Sequence, residues 1–194
     1  MKNKFSLSKM IATCFYVGFI PKAPGTFGSI MAFPLYAFLT YLVSMAKGGV
    51  SSISASQLIN NILVMNAALF FIGIWAADKY SSDIGNEDPS EVVIDEVVGQ
   101  LLTISLVVLL LPYIGGEAIM KFKQHGIDEF KLAALNFFGA FLMFRLFDIT
   151  KPWPIDYLEK RFKGGFGIMI DDILAAIFAV VMQFFILYAI IEKI

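Results

Sequence analysis

Cysteine, histidine and charge are all scarce in this sequence, and each scarcity excludes a class of protein. The 194 residues include a single cysteine, Cys14, and a single histidine, His125. A lone cysteine excludes an internal disulfide, and the two residues together are too few for a zinc site of the Cys/His type. Charged residues make up only 16%, the net charge is −1, and no Lys/Arg-rich run is present. We therefore expect no nucleic-acid partner, because no run of cationic side chains is present to bind a phosphate backbone. Protein partners are left unknown.

Apolar residues are abundant where charge is missing. They form 58% of the chain, including twenty phenylalanines, whereas roughly 45–50% is usual for a soluble domain. The mean hydropathy is +0.76. A soluble protein of this size would have to expose large apolar patches to carry that composition. The composition indicates an integral membrane protein, and the length indicates one domain, residues 1–194.

Five apolar segments can form membrane helices: residues 30–46, 62–77, 97–114, 132–147 and 173–191. A span needs about 20 apolar residues, with a lower limit near 17. The third and fifth segments reach that length, whereas the other three are marginal and either span, re-enter or pack inside the bundle. No alternation typical of a membrane barrel is present. The predicted fold is an all-α polytopic helical membrane bundle, with residues 47–60 and 115–130 as connecting loops.

The N-terminal residues 1–19 combine three lysines with apolar residues three and four positions apart. This pattern is typical of a short amphipathic helix in the membrane interface, and equally of a helix packed on the bundle. If all five segments span, ten of the fifteen Lys and Arg residues fall on the side of the N-terminus. The positive-inside rule places that side in the cytoplasm.

Two acidic pairs mark the starts of apolar segments on that same side. Asp95 and Glu96 follow three apolar residues, and Asp171 and Asp172 follow another apolar run. Carboxylates also favour helix N-termini through the macrodipole, which is the structural alternative. However, charge at membrane depth is expensive, and two acidic pairs at one level repel each other unless a cation lies between them. Hard oxygen ligands suit Mg²⁺, so we predict a magnesium site between the two pairs. Because neighbouring helix positions point about 100° apart, one carboxylate of each pair can face the bundle axis while the other serves a second ligand or the interface.

Two further stretches on this side can bind an anion. The turn containing Gly25, Thr26 and Ser29 precedes the first segment and would offer backbone N–H groups and hydroxyls to a phosphate, although it is also an ordinary helix start. Arg145 and Asp148 are three residues apart on one helix face. They form either a structural ion pair or a phosphate-gripping arginine beside a metal ligand or nucleophile.

Four long motifs resemble the phosphatidylglycerophosphatase A family of bacterial membrane lipid phosphatases. They are GFIPKAPGTFGS (residues 18–29), DPSEVVIDEVVGQ (88–100), FRLFDITKPWP (144–154) and GFGIMIDDILA (165–175). The resemblance covers most of the chain. It implies Mg²⁺-dependent removal of the terminal phosphate of phosphatidylglycerophosphate, a phospholipid, at the cytoplasmic side of the bacterial inner membrane.

On the basis of this resemblance we predict a role for each candidate site residue. The predicted metal ligands are Asp95, Glu96, Asp171 and Asp172. Asp95 is also predicted to act in catalysis. The predicted phosphate-binding residues are Arg145, Lys22, Lys151 and the turn of Gly25, Thr26 and Ser29. Asp148 is the nucleophile or the general base to water, and a phosphohistidine route is excluded because the site has no histidine.

An ion-coupled transporter is the alternative from another class, because intramembrane carboxylates also bind Na⁺ or H⁺. The position of the acidic pairs at segment ends, away from the midplane, argues against it.

Overall fold

The computed structural model describes residues 6–49 and 53–193. Within that part of the chain every regular element is helical, which confirms the predicted all-α class. In chain order the elements are α1 (Leu7–Ala12), a 3-10 turn (Val17–Phe19), α2 (Pro24–Ala46), α3 (Ala55–Ile84), α4 (Ile94–Leu110), a second 3-10 turn (Leu111–Ile114), α5 (Gly116–Gln124), α6 (Glu129–Thr150), α7 (Ile155–Arg161) and α8 (Gly164–Lys193).

Five of these helices are long and apolar enough to cross a membrane: α2, α3, α4 with its following 3-10 turn, α6 and α8. The sequence left three of them marginal because only their apolar runs were counted. All three helices begin before those apolar runs: α2 begins at Pro24 without a side-chain cap, whereas α3 and α6 begin in polar turns that carry caps. Ser54 and Gln57 form a capping box at the start of α3, and Asp128 accepts from the N–H of Lys131 at the start of α6. Such caps satisfy orphan N–H groups and extend a helix into polar sequence.

Both predicted loops were wrong in part. Residues 115–130 contain α5, whose Phe122 is buried and whose Lys121 donates to the carbonyl of Ile191, 3.1 Å away. Residues 47–60 contain the start of α3, while residues 50–52 lie outside the described part. At the N-terminus, α1 packs against α3 and buries Ala12, as expected of a helix packed on the bundle. Residues 1–5, with Lys2 and Lys4, also lie outside the described part.

Helix α4 forms the centre of the bundle and contacts α2, α3, α6 and α8. Glycines permit this close packing. A Cβ at Gly28 of α2 would lie 2.9 Å from the Cβ of Val93. A Cβ at Gly99 of α4 would lie 2.7 Å from the ring of Phe144 and 2.9 Å from the carbonyl oxygen of Asp172. The missing side chain at Gly99 therefore lets α4 and α8 meet beside Asp172.

Gly99→Ala is expected to destabilise the protein by about 1–3 kcal/mol through overpacking. Alanine would gain roughly 1 kcal/mol in helix propensity, but the fully buried Phe144 ring and the α8 backbone leave little room to shift. Thermal unfolding of the detergent-solubilised chain measures the difference. Gly116→Ala is the matched control, because a Cβ there meets nothing within 4 Å; equal melting temperatures for the two variants would contradict the packing argument.

Two buried amides link helices within the apolar part of the bundle. The Asn66 side chain of α3 donates to the carbonyl of Val98 on α4 at 3.1 Å. Gln183 of α8 donates to the carbonyl of Asn136 on α6 at 3.0 Å. Interhelical hydrogen bonds of this kind contribute about 0.6–2 kcal/mol each in membrane proteins. They help to fix the relative positions of the helices that carry the acidic pairs.

Candidate active site

One end of the bundle encloses a cavity of about 470 Å³. The starts of α2, α4 and α8, the end of α6 and the short helix α7 all contribute to its lining. Residues of all four motifs singled out in the sequence line this cavity, so the motifs meet at one end of the molecule, as the alternating direction of five spans requires.

Three carboxylates converge at this cavity. Asp95, Glu96 and Asp172 each offer one ligand atom, and these atoms all lie within 4.8 Å of one another. Asp172 is 2% exposed. One oxygen of each residue is buried without a hydrogen-bond partner: Oδ1 of Asp95, Oε2 of Glu96 and Oδ2 of Asp172. Buried carboxylates without partners are costly, and a divalent cation with a preference for oxygen ligands would satisfy all three. The residues present therefore fit a metal ion.

Asp171 has a different partner from its neighbour. Its Oδ2 accepts from the ammonium of Lys151 at 2.6 Å, and its Oδ1 accepts from the backbone N–H of Asp172 at 3.1 Å. Consecutive helix residues point about 100° apart, so α8 directs Asp172 to the other carboxylates and Asp171 to the lysine. Asp171 lines the same cavity, but its predicted role as a metal ligand stays a prediction.

Arg145 of α6 lies beside the three carboxylates. Its guanidinium donates to Asp148, approaches Oε1 of Glu96 to 4.0 Å and donates to Oγ of Ser29 at 3.4 Å. Its side chain is only 15% exposed, and its Nε is buried without a partner. Both alternatives from the sequence are thus compatible with its position: an ion pair with Asp148, and a cation next to a polar cavity.

The start of α2 approaches the same group of residues. Gly25 packs against the side chains of Glu96 and Arg145, and a larger residue would displace them. Ser29 is fully buried, and its hydroxyl donates to the carbonyl of Gly25 at 3.0 Å. Of the residues predicted to bind phosphate, Gly25 and Lys151 line the cavity. The lining does not include the other four: Lys22, Thr26, Ser29 and Arg145.

Lys151 follows α6 in the left-handed backbone conformation, with φ at 39°. Its ammonium donates to Glu159 of α7 and to Asp171 of α8, both at 2.6 Å. Burial lowers the pKa of Lys151, but the neighbouring Asp171 and Glu159 raise it by a larger amount, so the pKa lies above its usual value. Lys151 therefore remains a cation at the cavity wall.

Sequence reasoning missed several residues of the cavity. Glu159, Lys160 and Lys163 line it from α7 and the loop that follows, and Glu87 lines it from the loop before α4. Lys163 and Glu87 form an ion pair at 3.2 Å. Their only signal in the sequence was charge close to the predicted site. His125 is exposed at the C-terminal end of α5, and its ring nitrogen lies 3.0 Å from the carbonyl oxygen of Lys121.

The chain was then compared with known proteins. A family model described as phosphatidylglycerophosphatase A matches residues 10–187. A phosphatidylglycerophosphatase A of Haemophilus influenzae is 32% identical, over 92% of this chain and 88% of the relative. A putative phosphatidylinositol-3-phosphatase of Bacteroides thetaiotaomicron is 33% identical, over 94% of each chain.

A third relative, the phosphatidylglycerophosphatase A of Escherichia coli K12, is 28% identical over 95% of this chain and 88% of its own length. No solved structure matches the chain significantly. The family model covers both acidic pairs, Arg145 and Lys151. The chain that builds this acidic cavity at one end of a five-helix bundle belongs to the phosphatidylglycerophosphatase A family, a family of phosphatases.

Proposed function

We propose that this enzyme removes the terminal phosphate of phosphatidylglycerophosphate and releases phosphatidylglycerol and inorganic phosphate. Family membership supports a lipid phosphatase. The single observation that carries the chemistry is the convergence of Asp95, Glu96 and Asp172 within 4.8 Å, with Arg145 directly beside them. Phosphoryl transfer requires a metal cation, which these carboxylates can bind, and a cationic side chain for the phosphate, which Arg145 can supply at the same cavity.

Mg²⁺ is the proposed cofactor, with Asp95, Glu96 and Asp172 as its ligands. Their three unpartnered oxygens support this assignment, as does a donor set that is entirely carboxylate. A bound Mg²⁺ would neutralise charge on the phosphoryl group and acidify a bound water. Asp171 remains the proposed fourth ligand, although its contact with Lys151 competes with that role.

The proposed phosphate-binding groups are Arg145, Lys151 and the residues at the start of α2. Arg145 has an unpartnered Nε and can present its planar fork to phosphate oxygens. Lys151 supplies a second cation. The first turn of α2 adds N–H groups and the positive end of the helix dipole, and we propose that Gly25, Thr26 and Ser29, with Lys22, contact the phosphate through that turn.

Asp148 is proposed to act directly in the reaction. Its side chain lines the cavity and pairs with Arg145. It either accepts the proton of an attacking water, or attacks phosphorus itself to form an acyl phosphate that water then hydrolyses. In both routes the ester oxygen leaves with the lipid as an alcohol. Arg145 would stabilise the charge that develops on the phosphoryl oxygens.

We propose that the site faces the cytoplasm in a bacterial inner membrane. The cavity is formed by the same helix ends whose flanking segments carry ten of the fifteen cationic residues, and the positive-inside rule assigns such ends to the cytoplasm. The transporter alternative loses its support, because the chain belongs to a phosphatase family.

A second substrate is favoured by one relative. The Bacteroides thetaiotaomicron protein named a putative phosphatidylinositol-3-phosphatase is as similar to this chain as the phosphatidylglycerophosphatases are. Its named substrate also carries a phosphomonoester on a phospholipid headgroup. The same carboxylates and cations would serve that reaction, so headgroup size is the variable to test.

Phosphate release from a panel of lipids tests these proposals. The purified full chain is expected to hydrolyse phosphatidylglycerophosphate with added Mg²⁺ and to lose activity when EDTA removes the metal. Phosphatidylinositol 3-phosphate and phosphatidic acid, assayed under the same conditions, measure headgroup preference. Undiminished phosphate release in EDTA would contradict the metal assignment, and a preference for phosphatidylinositol 3-phosphate would replace the first substrate with the second.

A further inference from the structure

Helix α7 carries a carboxylate that no part of the proposed chemistry uses. Glu159 accepts from Lys151 at 2.6 Å and lines the cavity. Its side chain is 34% exposed, so water could solvate it without help from the lysine. Lys151 in turn is 29% exposed and has a second carboxylate, Asp171, at the same distance. A single partner would suffice to neutralise the lysine, so the second requires another explanation.

The hydrogen-bonding capacity of an ammonium group provides that explanation. A lysine has three N–H donors and no acceptor. Among the described residues, Glu159 and Asp171 take two of the three. These two carboxylates belong to different helices, α7 and α8, so together they restrict a long, flexible side chain to one position. The third N–H is left for a ligand in the cavity that all three residues line.

We propose that Glu159 is a positioning residue, which holds the ammonium of Lys151 so that its third N–H binds a phosphate oxygen of the substrate. This inference rests on the proposed function. Without Glu159, Lys151 would keep Asp171 but could rotate about that one contact. An ordered cation loses less freedom when the phosphate binds, and this preorganisation favours both substrate and phosphate product.

The rest of α7 indicates that Glu159 is not needed to hold this helix in place. Ile155 is fully buried and belongs to an apolar cluster with Phe144 and Ala175. This apolar contact anchors the helix independently of the charge pair. Helix α3 provides a matched control: Asp83 pairs with Lys79 at the same distance of 2.6 Å, both side chains are exposed, at 44% and 56%, and neither residue lines the cavity.

Glu159→Ala is therefore expected to raise KM for phosphatidylglycerophosphate about tenfold, as expected for one hydrogen bond to a charged group. The dissociation constant for inorganic phosphate, measured by ³¹P NMR on the detergent-solubilised full chain with Mg²⁺, should rise by a similar factor. Glu159→Gln keeps an acceptor oxygen and should show a smaller rise in both. Asp83→Asn should match the wild type in KM, phosphate affinity and melting temperature.

Two outcomes would overturn the inference. One is a Glu159→Ala variant with unchanged KM and phosphate affinity. The other is a loss that Asp83→Asn reproduces, or that follows a fall in melting temperature, because either result would mark Glu159 as structural. The phosphate-binding arm separates this test from the proposed function: a wild type that binds phosphate but releases none from the lipid would refute the function while still reporting on Glu159.

Discussion

Asp172→Asn is expected to lower phosphate release on the order of 10³-fold, the scale of losing one charge-stabilising group at a reacting centre. Asparagine has almost the same shape but no charge. Asp172 is 2% exposed and meets Asp95 and Glu96 within 4.8 Å, so its charge is directed at whatever lies between them. Turnover measures the first loss. Mn²⁺ binding, followed by electron paramagnetic resonance, measures the expected weakening of metal affinity.

Stability separates this prediction from simple unfolding. Three carboxylates this close repel one another in the absence of a cation, so the metal-free Asp172→Asn variant is expected to melt no lower than the wild type. Asp83→Asn is the control, because Asp83 is an exposed partner of Lys79 and does not line the cavity. Wild-type metal affinity in Asp172→Asn would end the assignment of the metal to these three residues.

The neighbouring position supplies a second comparison. Asp171→Asn is expected to weaken Mn²⁺ binding less than Asp172→Asn, because Asp171 is engaged by Lys151. An equal loss in the two variants would instead support the predicted fourth ligand.

Both acidic pairs could be selected as candidate site residues from sequence because charge after an apolar run has few inexpensive explanations in a membrane. The structure places only Asp95 and Glu96 at a helix start; Asp171 and Asp172 lie about two turns inside α8, which begins at Gly164 in the glycine-containing stretch before them. The geometry also predicted that two consecutive carboxylates would face different partners. Which aspartate faces the candidate metal site could not be predicted, because it depends on the rotation of α8. That rotation depends on how α8 packs against its neighbours, α3, α4, α6 and α7, for example where Gly165 lies against the backbone of Ile74 and Asp78 on α3.

Glu159 escaped prediction for a different reason. Helix α7 carries four charged residues in seven positions, a pattern typical of a solvated surface helix. Its link to the site depends on the conformation of Lys151, whose left-handed backbone is uncommon outside glycine, asparagine and aspartate. The contacts of Ser29 could not be predicted from sequence either. Its hydroxyl donates to the Gly25 carbonyl and accepts from Arg145, because glycines determine which face of α2 packs on α4.

Arg145→Lys is expected to reduce kcat and kcat/KM together by roughly 10²-fold, the cost of removing one oriented donor from a developing negative charge. Lysine preserves the positive charge but not the planar fork. In the structure one terminal nitrogen, Nη1, donates to both Asp148 and Ser29, while Nε is buried without a partner. Steady-state kinetics with the lipid substrate, alongside the melting temperature, measure the effect.

The same substitution distinguishes the two roles left open for Arg145. A structural ion pair with Asp148 needs only a positive charge at the end of a long side chain, so lysine would preserve much of it and activity would follow stability. A phosphate-binding role needs several donors in one plane, so activity would fall while the melting temperature changed little. Arg161→Lys is the control, because Arg161 is exposed on α7 and contacts only the hydroxyl of Tyr157 among its described hydrogen-bond partners. Wild-type kinetics in Arg145→Lys would make Arg145 structural and leave Lys151 as the principal cation for phosphate.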